Sequence, residues 1–264
     1  QSGRDAITHG DPEKAMEFFE KAVALKPNNA DYQYRLANAT LQAGVRASMF
    51  SAMSMLPKAK AELQRAIQLD PNLIAARFAL LEVYVSAPAF AGGSESGALE
   101  QATEIRKRDA IDGHRAFARV YTATKKPELA RKEYNDMVRE QPASARAHYW
   151  SGVYLMLAEK NYQSANAELE SAVKLDGSYM PAYFRIGHLA ALAGSNMPRG
   201  EVALKKYLAY SPKDDEPSIA RAYFWLGGIY EKQGKKAEAK ASYAASLKIN
   251  PSQKDGGEAM KRVS

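Results

Sequence analysis

The stretch AYFWLGGIYEKQGKKAEAKASYAASLKINP, residues 222–251, decides the fold. Leu226, Gly227 and Tyr230 recur at three- and four-residue spacing and make one face of a first helix. Gly234 interrupts it. Ala239, Tyr243 and Ser246 then make one face of a second helix, and Pro251 stops it because proline cannot continue a helix. The unit is two short amphipathic helices and a stop.

The same unit returns along the chain. Second-helix copies read GDPEKAMEFFEKAVALKP, LPKAKAELQRAIQLDP, KKPELARKEYNDMVREQP, KNYQSANAELESAVKLDG and RGEVALKKYLAYSP, ending at Pro27, Pro71, Pro142, Gly177 and Pro212. A degenerate copy ends near Ala110. In the first helices Ala37, Ala118, Gly152, Gly187 and Gly227 are small enough to let a neighbouring backbone come close, so the pairs nest.

These residues resemble the tetratricopeptide repeat family, whose 34-residue unit carries W-x2-L-G-x2-Y, then A-x3-F, then P. The tryptophan place is held here by Arg77, His114, His148, Tyr183 and Tyr223. The resemblance implies an all-α, right-handed superhelical solenoid of about six and a half helix pairs over residues 1–253. Its first repeat, residues 1–29, is incomplete, and a tail or short capping helix fills 254–264. The chain is also similar to uncharacterised exported bacterial members of this superfamily in its Met-rich insert and GGS loop.

Composition bounds the function. The 264 residues are 46% hydrophobic and 25% charged, enough for one or two cores. No run of 18 apolar residues suggests a membrane span. The absence of cysteine excludes disulfides, thiolate metal sites and a cysteine nucleophile. The net charge of +7 is spread along the chain without an RNP, finger or basic-zipper pattern, which argues against nucleic acid and favours acidic partners in general. A chain without cysteine or an initiator methionine is expected to be exported and periplasmic, with a cytoplasmic scaffold as the alternative.

Two spacings exceed the period. Pro27 and Pro71 lie 44 residues apart, and the next stop follows 39 residues later. The first excess, near 44–57, holds Met49, Phe50, Met53, Met55 and Leu56. It extends helices that pack on a neighbour, or forms a lid that contacts a partner. The second excess, near 86–94, is PAFAGGSESGALEQA, residues 88–102. Glycines before a helix can cradle a phosphate, but no strand precedes them and no Gly-Lys-Ser/Thr follows. The expectation is a joint, with Ser94 as an N-cap.

No enzyme motif or cofactor fingerprint stands out. His9, His114, His148 and His188 fall in different units without carboxylates at metal-ligand spacing, and Asp214 and Asp215 sit in a polar linker. The remaining candidate is a groove lined by first helices. The residue after the tryptophan place and the one four further on give Tyr34 and Asn38, Phe78 and Glu82, Arg115 and Arg119, Tyr149 and Val153, Phe184 and His188, and Phe224 and Gly228. Arg115 and Arg119 either pair with Glu82 or another acid, or form a fork for a carboxylate. The leading expectation is a non-enzymatic scaffold that binds a peptide or protein segment. The alternative is a carrier of a small apolar ligand or lipid enclosed by the Met-rich insert.

Overall fold

The computed structural model describes residues 11–46, 49–213 and 216–264. Among them are fourteen α-helices and no strand. Helix α1 (Pro12–Leu25) stands first. Six pairs follow: α2 (Ala30–Arg46) with α3 (Met49–Leu69), α4 (Ile74–Ser86) with α5 (Glu95–Arg108), α6 (Ala110–Ala123) with α7 (Pro127–Glu140), α8 (Ala145–Leu157) with α9 (Tyr162–Leu175), α10 (Met180–Ala193) with α11 (Met197–Leu208), and α12 (Ile219–Lys232) with α13 (Lys236–Ile249). Helix α14 (Lys254–Val263) closes the series. The chain forms two compact units, meeting between Met137 and Val138.

Local chemistry sets the helix starts. Asp11, Ser94, Asp109, Ser144, Asn161 and Ser218 each precede a helix and accept from a backbone N–H of its first turn. Close approach sets the pairing. A Cβ at Gly187 would lie 2.2 Å from Leu204, and one at Gly152 would lie 2.8 Å from Leu169. The first unit is cored by Leu63, Leu80 and Val83 and by Leu81, Ile105 and Val120. The second is cored by Met156, Leu169 and Ile186 and by Leu204, Tyr207, Ile229 and Tyr243.

A recurrent bond ties four of the repeats to the stop before them. The side chain at the tryptophan place donates to the carbonyl six residues upstream: Gln33 Nε2 to Pro27 at 3.1 Å, Arg77 Nε to Pro71 at 3.0 Å, His148 Nε2 to Pro142 at 2.9 Å and Tyr183 Oη to Gly177 at 3.2 Å. His114 and Tyr223 follow joints of other lengths. One residue, Asp109, separates α5 from α6, and ten separate α11 from α12. His114 instead lies buried with Nδ1 2.7 Å from Glu133.

The first insertion lengthens two helices: α2 has 17 residues and α3 has 21, where most helices here have 13 or 14. Met53 and Met55 are half-buried and Leu56 packs on the first unit's core, whereas the side chains of Met49 and Phe50 lie outside the described residues. The second insertion is a joint. The N–H groups of Gly92, Gly93 and Ser94 donate to the carbonyls of Ala89, Pro88 and Tyr84, so none is left to cradle a phosphate. Ser94 caps α5 by accepting from Gly97 N at 3.0 Å.

The C-terminal stretch forms a helix: α13 ends at Ile249 before Pro251, and Gly256 and Gly257 both lie inside α14. Gly256 packs there because a Cβ would come within 3.0 Å of Leu247. Helix α14 is held on the last pair by Arg221 to Asp255 at 2.6 Å and by both Arg262 nitrogens on Glu231 at 2.8 and 3.1 Å.

Candidate functional site

The ten residues singled out from the sequence fall into two groups, one per unit. Tyr34, Asn38, Phe78, Glu82, Arg115 and Arg119 lie on α2, α4 and α6 of the first unit. Arg119 makes two bonds to Glu82, at 2.8 and 2.7 Å, and Arg115 pairs with Asp112 at 2.5 Å while lying 5.2 Å over the ring of Phe78. Both guanidinium groups are therefore neutralised within the chain. The Arg119–Glu82 pair considered from the sequence is present.

Tyr149, Phe184, His188 and Phe224 lie on the first helices α8, α10 and α12 of the second unit. The first three line a pocket of about 330 Å³ with Trp150, Arg185, Arg221, Trp225, Glu216 and Pro217. The chain has two tryptophans, and both line this pocket. His188 stacks on Trp225 at 3.9 Å with an interplanar angle of 22°, and Arg221 lies 5.0 Å over Phe224 and 5.2 Å over Trp225. Edge contacts of Phe184 with Tyr207 and of Tyr149 with Tyr179 hold the walls.

The charges are uneven. Arg221 is paired with Asp255, but Arg185 is held by neutral groups: Nε reaches Tyr149 Oη at 3.5 Å and one terminal nitrogen lies 3.3 Å from His188 Nδ1. Burial, followed by the charges of Arg185 and Arg221, pushes the His188 imidazole down to about 3. His188 is thus neutral at physiological pH, Nδ1 accepts from Arg185, and the ring proton sits on Nε2. No carboxylate pairs with Arg185 among the described residues, and most N–H groups of its planar fork remain unbonded.

A second pocket of about 410 Å³ adjoins the first at Trp225 and is lined by Ala191, Leu192, Phe224, Gly228 and Tyr243, with Glu231, Lys232 and Arg262 at its polar side. Sequence reasoning reached Tyr149, Phe184 and Phe224 but missed Trp150, Arg185 and Trp225, each one residue further along its helix. It also missed Glu216 and Pro217, which stand in the ten-residue joint between α11 and α12. The stops Pro212 and Pro251 lie 39 residues apart, a third excess over the period that signals this longer joint.

Among the described residues no group of three or more His, Asp or Glu side chains could hold a metal ion, and no helix is long and apolar enough to cross a membrane. His9, Asp214 and Asp215 lie outside the described residues.

Helix pairs nested through small residues, four of them pinned to the preceding stop, define an α-solenoid of repeats. The chain carries tetratricopeptide repeats: family signatures match residues 6–29, 115–179 and 220–253. No curated protein sequence matches the chain. Among solved structures, a tetratricopeptide repeat protein from Parabacteroides merdae is similar at a TM-score of 0.55 with 16% identity, covering 99% of this chain and 95% of that one. Yeast Tom70 is similar at 0.61 with 12% identity, and human IFIT1, as a dimer with PPP-AAAA, at 0.58 with 19% identity. Each of these two matches covers 96% of this chain, which spans less than three fifths of theirs. These likenesses establish the fold, and the repeats support a protein-interaction scaffold in general.

Proposed function

We propose that the chain is a non-enzymatic interaction module that seats a segment of a partner protein on the aromatic face of α8, α10 and α12. The observation that carries this reading is Arg185. It is a guanidinium fixed by two uncharged acceptors at the wall of a 330 Å³ pocket with both tryptophans, whereas Arg115, Arg119 and Arg221 each already hold a carboxylate. A planar fork with free N–H groups favours an acidic group on the incoming segment, and the aromatic walls supply contact area. The alternative of an apolar carrier has no observation of its own, because the described part of the Met-rich stretch is the first half of α3.

The experiment is selection of displayed random peptides on the immobilised full chain, with binding of the selected peptides followed by tryptophan fluorescence. Both fluorophores line the pocket, so occupancy should change emission, and Arg185→Ala should weaken binding about ten-fold or more. Arg115→Ala with Arg119→Ala should leave it intact. Peptides that bind without altering emission and ignore Arg185→Ala would place recognition elsewhere.

A further inference from the structure

Gly227 and Gly228 stand side by side in α12 but differ physically. At Gly227 an added Cβ would lie 2.6 Å from the ring of Tyr243, so glycine is required for α13 to pack. At Gly228 it would meet only Ala191 Cβ and Tyr243 Oη, both at 3.8 Å, an ordinary van der Waals separation. Packing therefore gives no reason for glycine at 228, and a glycine inside a helix is less stable than alanine there. What glycine does provide is space. Gly228 forms part of the floor of the 410 Å³ pocket, whose walls include Phe224, Trp225, Tyr243 and Leu192. Equivalent places on the preceding first helices of this unit carry Val153 and His188, so the opening belongs to the last repeat.

The polar side of the pocket identifies the occupant. Arg262 is engaged with Glu231, whereas among the described residues Lys232 Nζ bonds only the Leu192 carbonyl, at 3.1 Å, and forms no ion pair. Two cations thus face one carboxylate beside an aromatic and aliphatic cavity. We propose that Gly228 is a specificity-determining residue that opens an anchor site for one large aliphatic or aromatic side chain of a partner segment, with an acidic residue next to it on Lys232. This inference rests on the interaction-module reading and adds the anchor that the segment must carry. Trp225 lines both the pocket that the anchor enters at Gly228 and the pocket that holds Arg185.

The test uses the full chain as wild type, Gly228→Ala and Gly228→Met with the display-selected peptides. Gly228→Ala should raise the thermal midpoint by about 2–4 °C. Gly228→Met should keep the helical circular dichroism but fill the cavity, weakening peptides with a large apolar residue about ten-fold or more. Selected peptides should pair that residue with Asp or Glu, and Lys232→Ala should remove the acidic preference beside it. If Gly228→Met binds as wild type while Arg185→Ala still weakens binding, the anchor site is refuted and the interaction module stands. If no peptide is selected, both readings fall. If palmitate, and no peptide, binds in a way that Gly228→Met blocks, the site belongs to a lipid and the proposal is overturned.

Discussion

Replacing Glu62 by glutamine should make the stability of this protein less dependent on pH. Glu62, on α3, is 9% exposed, with its carboxylate 3.3 Å from Thr40 Oγ1. Burial pushes the carboxyl up to about 7 from 4.5, Glu20 adds to the rise, and Lys58 and the Thr40 hydroxyl oppose it. Lys58 is itself drawn to Glu20 at 2.7 Å. Thr40 also lies 3.0 Å from the Leu36 carbonyl, and its single proton can satisfy that acceptor if a protonated Glu62 donates to the hydroxyl. Below about pH 4.5 the carboxyl is protonated in both folded and unfolded chains, and its contribution is complete. Between about 4.5 and 7 the unfolded chain ionises first, and stability falls by about 1.4 kcal/mol per pH unit. Above about 7 both forms are ionised and the loss levels off near 3 kcal/mol, from a shift of about 2.5 units. Glutamine keeps the shape and does not titrate. Urea unfolding of the two proteins at pH 4.5, 6 and 8 should show Glu62→Gln gaining on wild type progressively, to about 3 kcal/mol. A difference constant across that range would refute the argument that this carboxyl is held protonated by the fold.

Three further outcomes are expected. Gly227→Ala should lower stability by about 1–3 kcal/mol in denaturant unfolding, because the methyl meets the Tyr243 ring; its sign is opposite to that at the adjacent Gly228. Lys125→Gly and Lys160→Gly should each stabilise by about 1 kcal/mol in the same assay, since both lysines sit in the left-handed region at φ 58° and 54°. Glu82→Gln should cost under about 1 kcal/mol, because the Arg119–Glu82 pair is exposed at 36% and 45%; a loss above 2 kcal/mol would show that the pair supports the packing of α6 on α4.

The repeats were legible because nesting helices demand small residues at fixed places, and Gly152, Gly187 and Gly227 leave that demand in the sequence. The joint at 88–94 was legible for a related reason: a phosphate loop needs neighbours that this stretch lacks. The site was legible only in part. Taking residues four apart follows one line along a helix, whereas each successive residue turns by about 100°, so the wall of a broad pocket recruits the next line as well. Trp150, Arg185 and Trp225 occupy that second line. The role of Arg185 was hidden for another reason. Whether an arginine is free to bind depends on carboxylates from other helices, and sequence distance does not reveal that Arg119 meets Glu82 while Arg185, among the described residues, meets a phenol, an imidazole and the Phe184 ring.

At the tryptophan place an amide, a guanidinium, an imidazole and a phenol each reach the same upstream carbonyl. The position is thus specified by an atom that gives up a hydrogen, not by a particular side chain. Substitution among such donors is a change of spelling that keeps the meaning, and repeats can drift far apart in letters while their joints stay in register. The repeats could then be rearranged or exchanged by replacing four-residue joints, provided each incoming first helix brings a donor long enough to reach the stop before it.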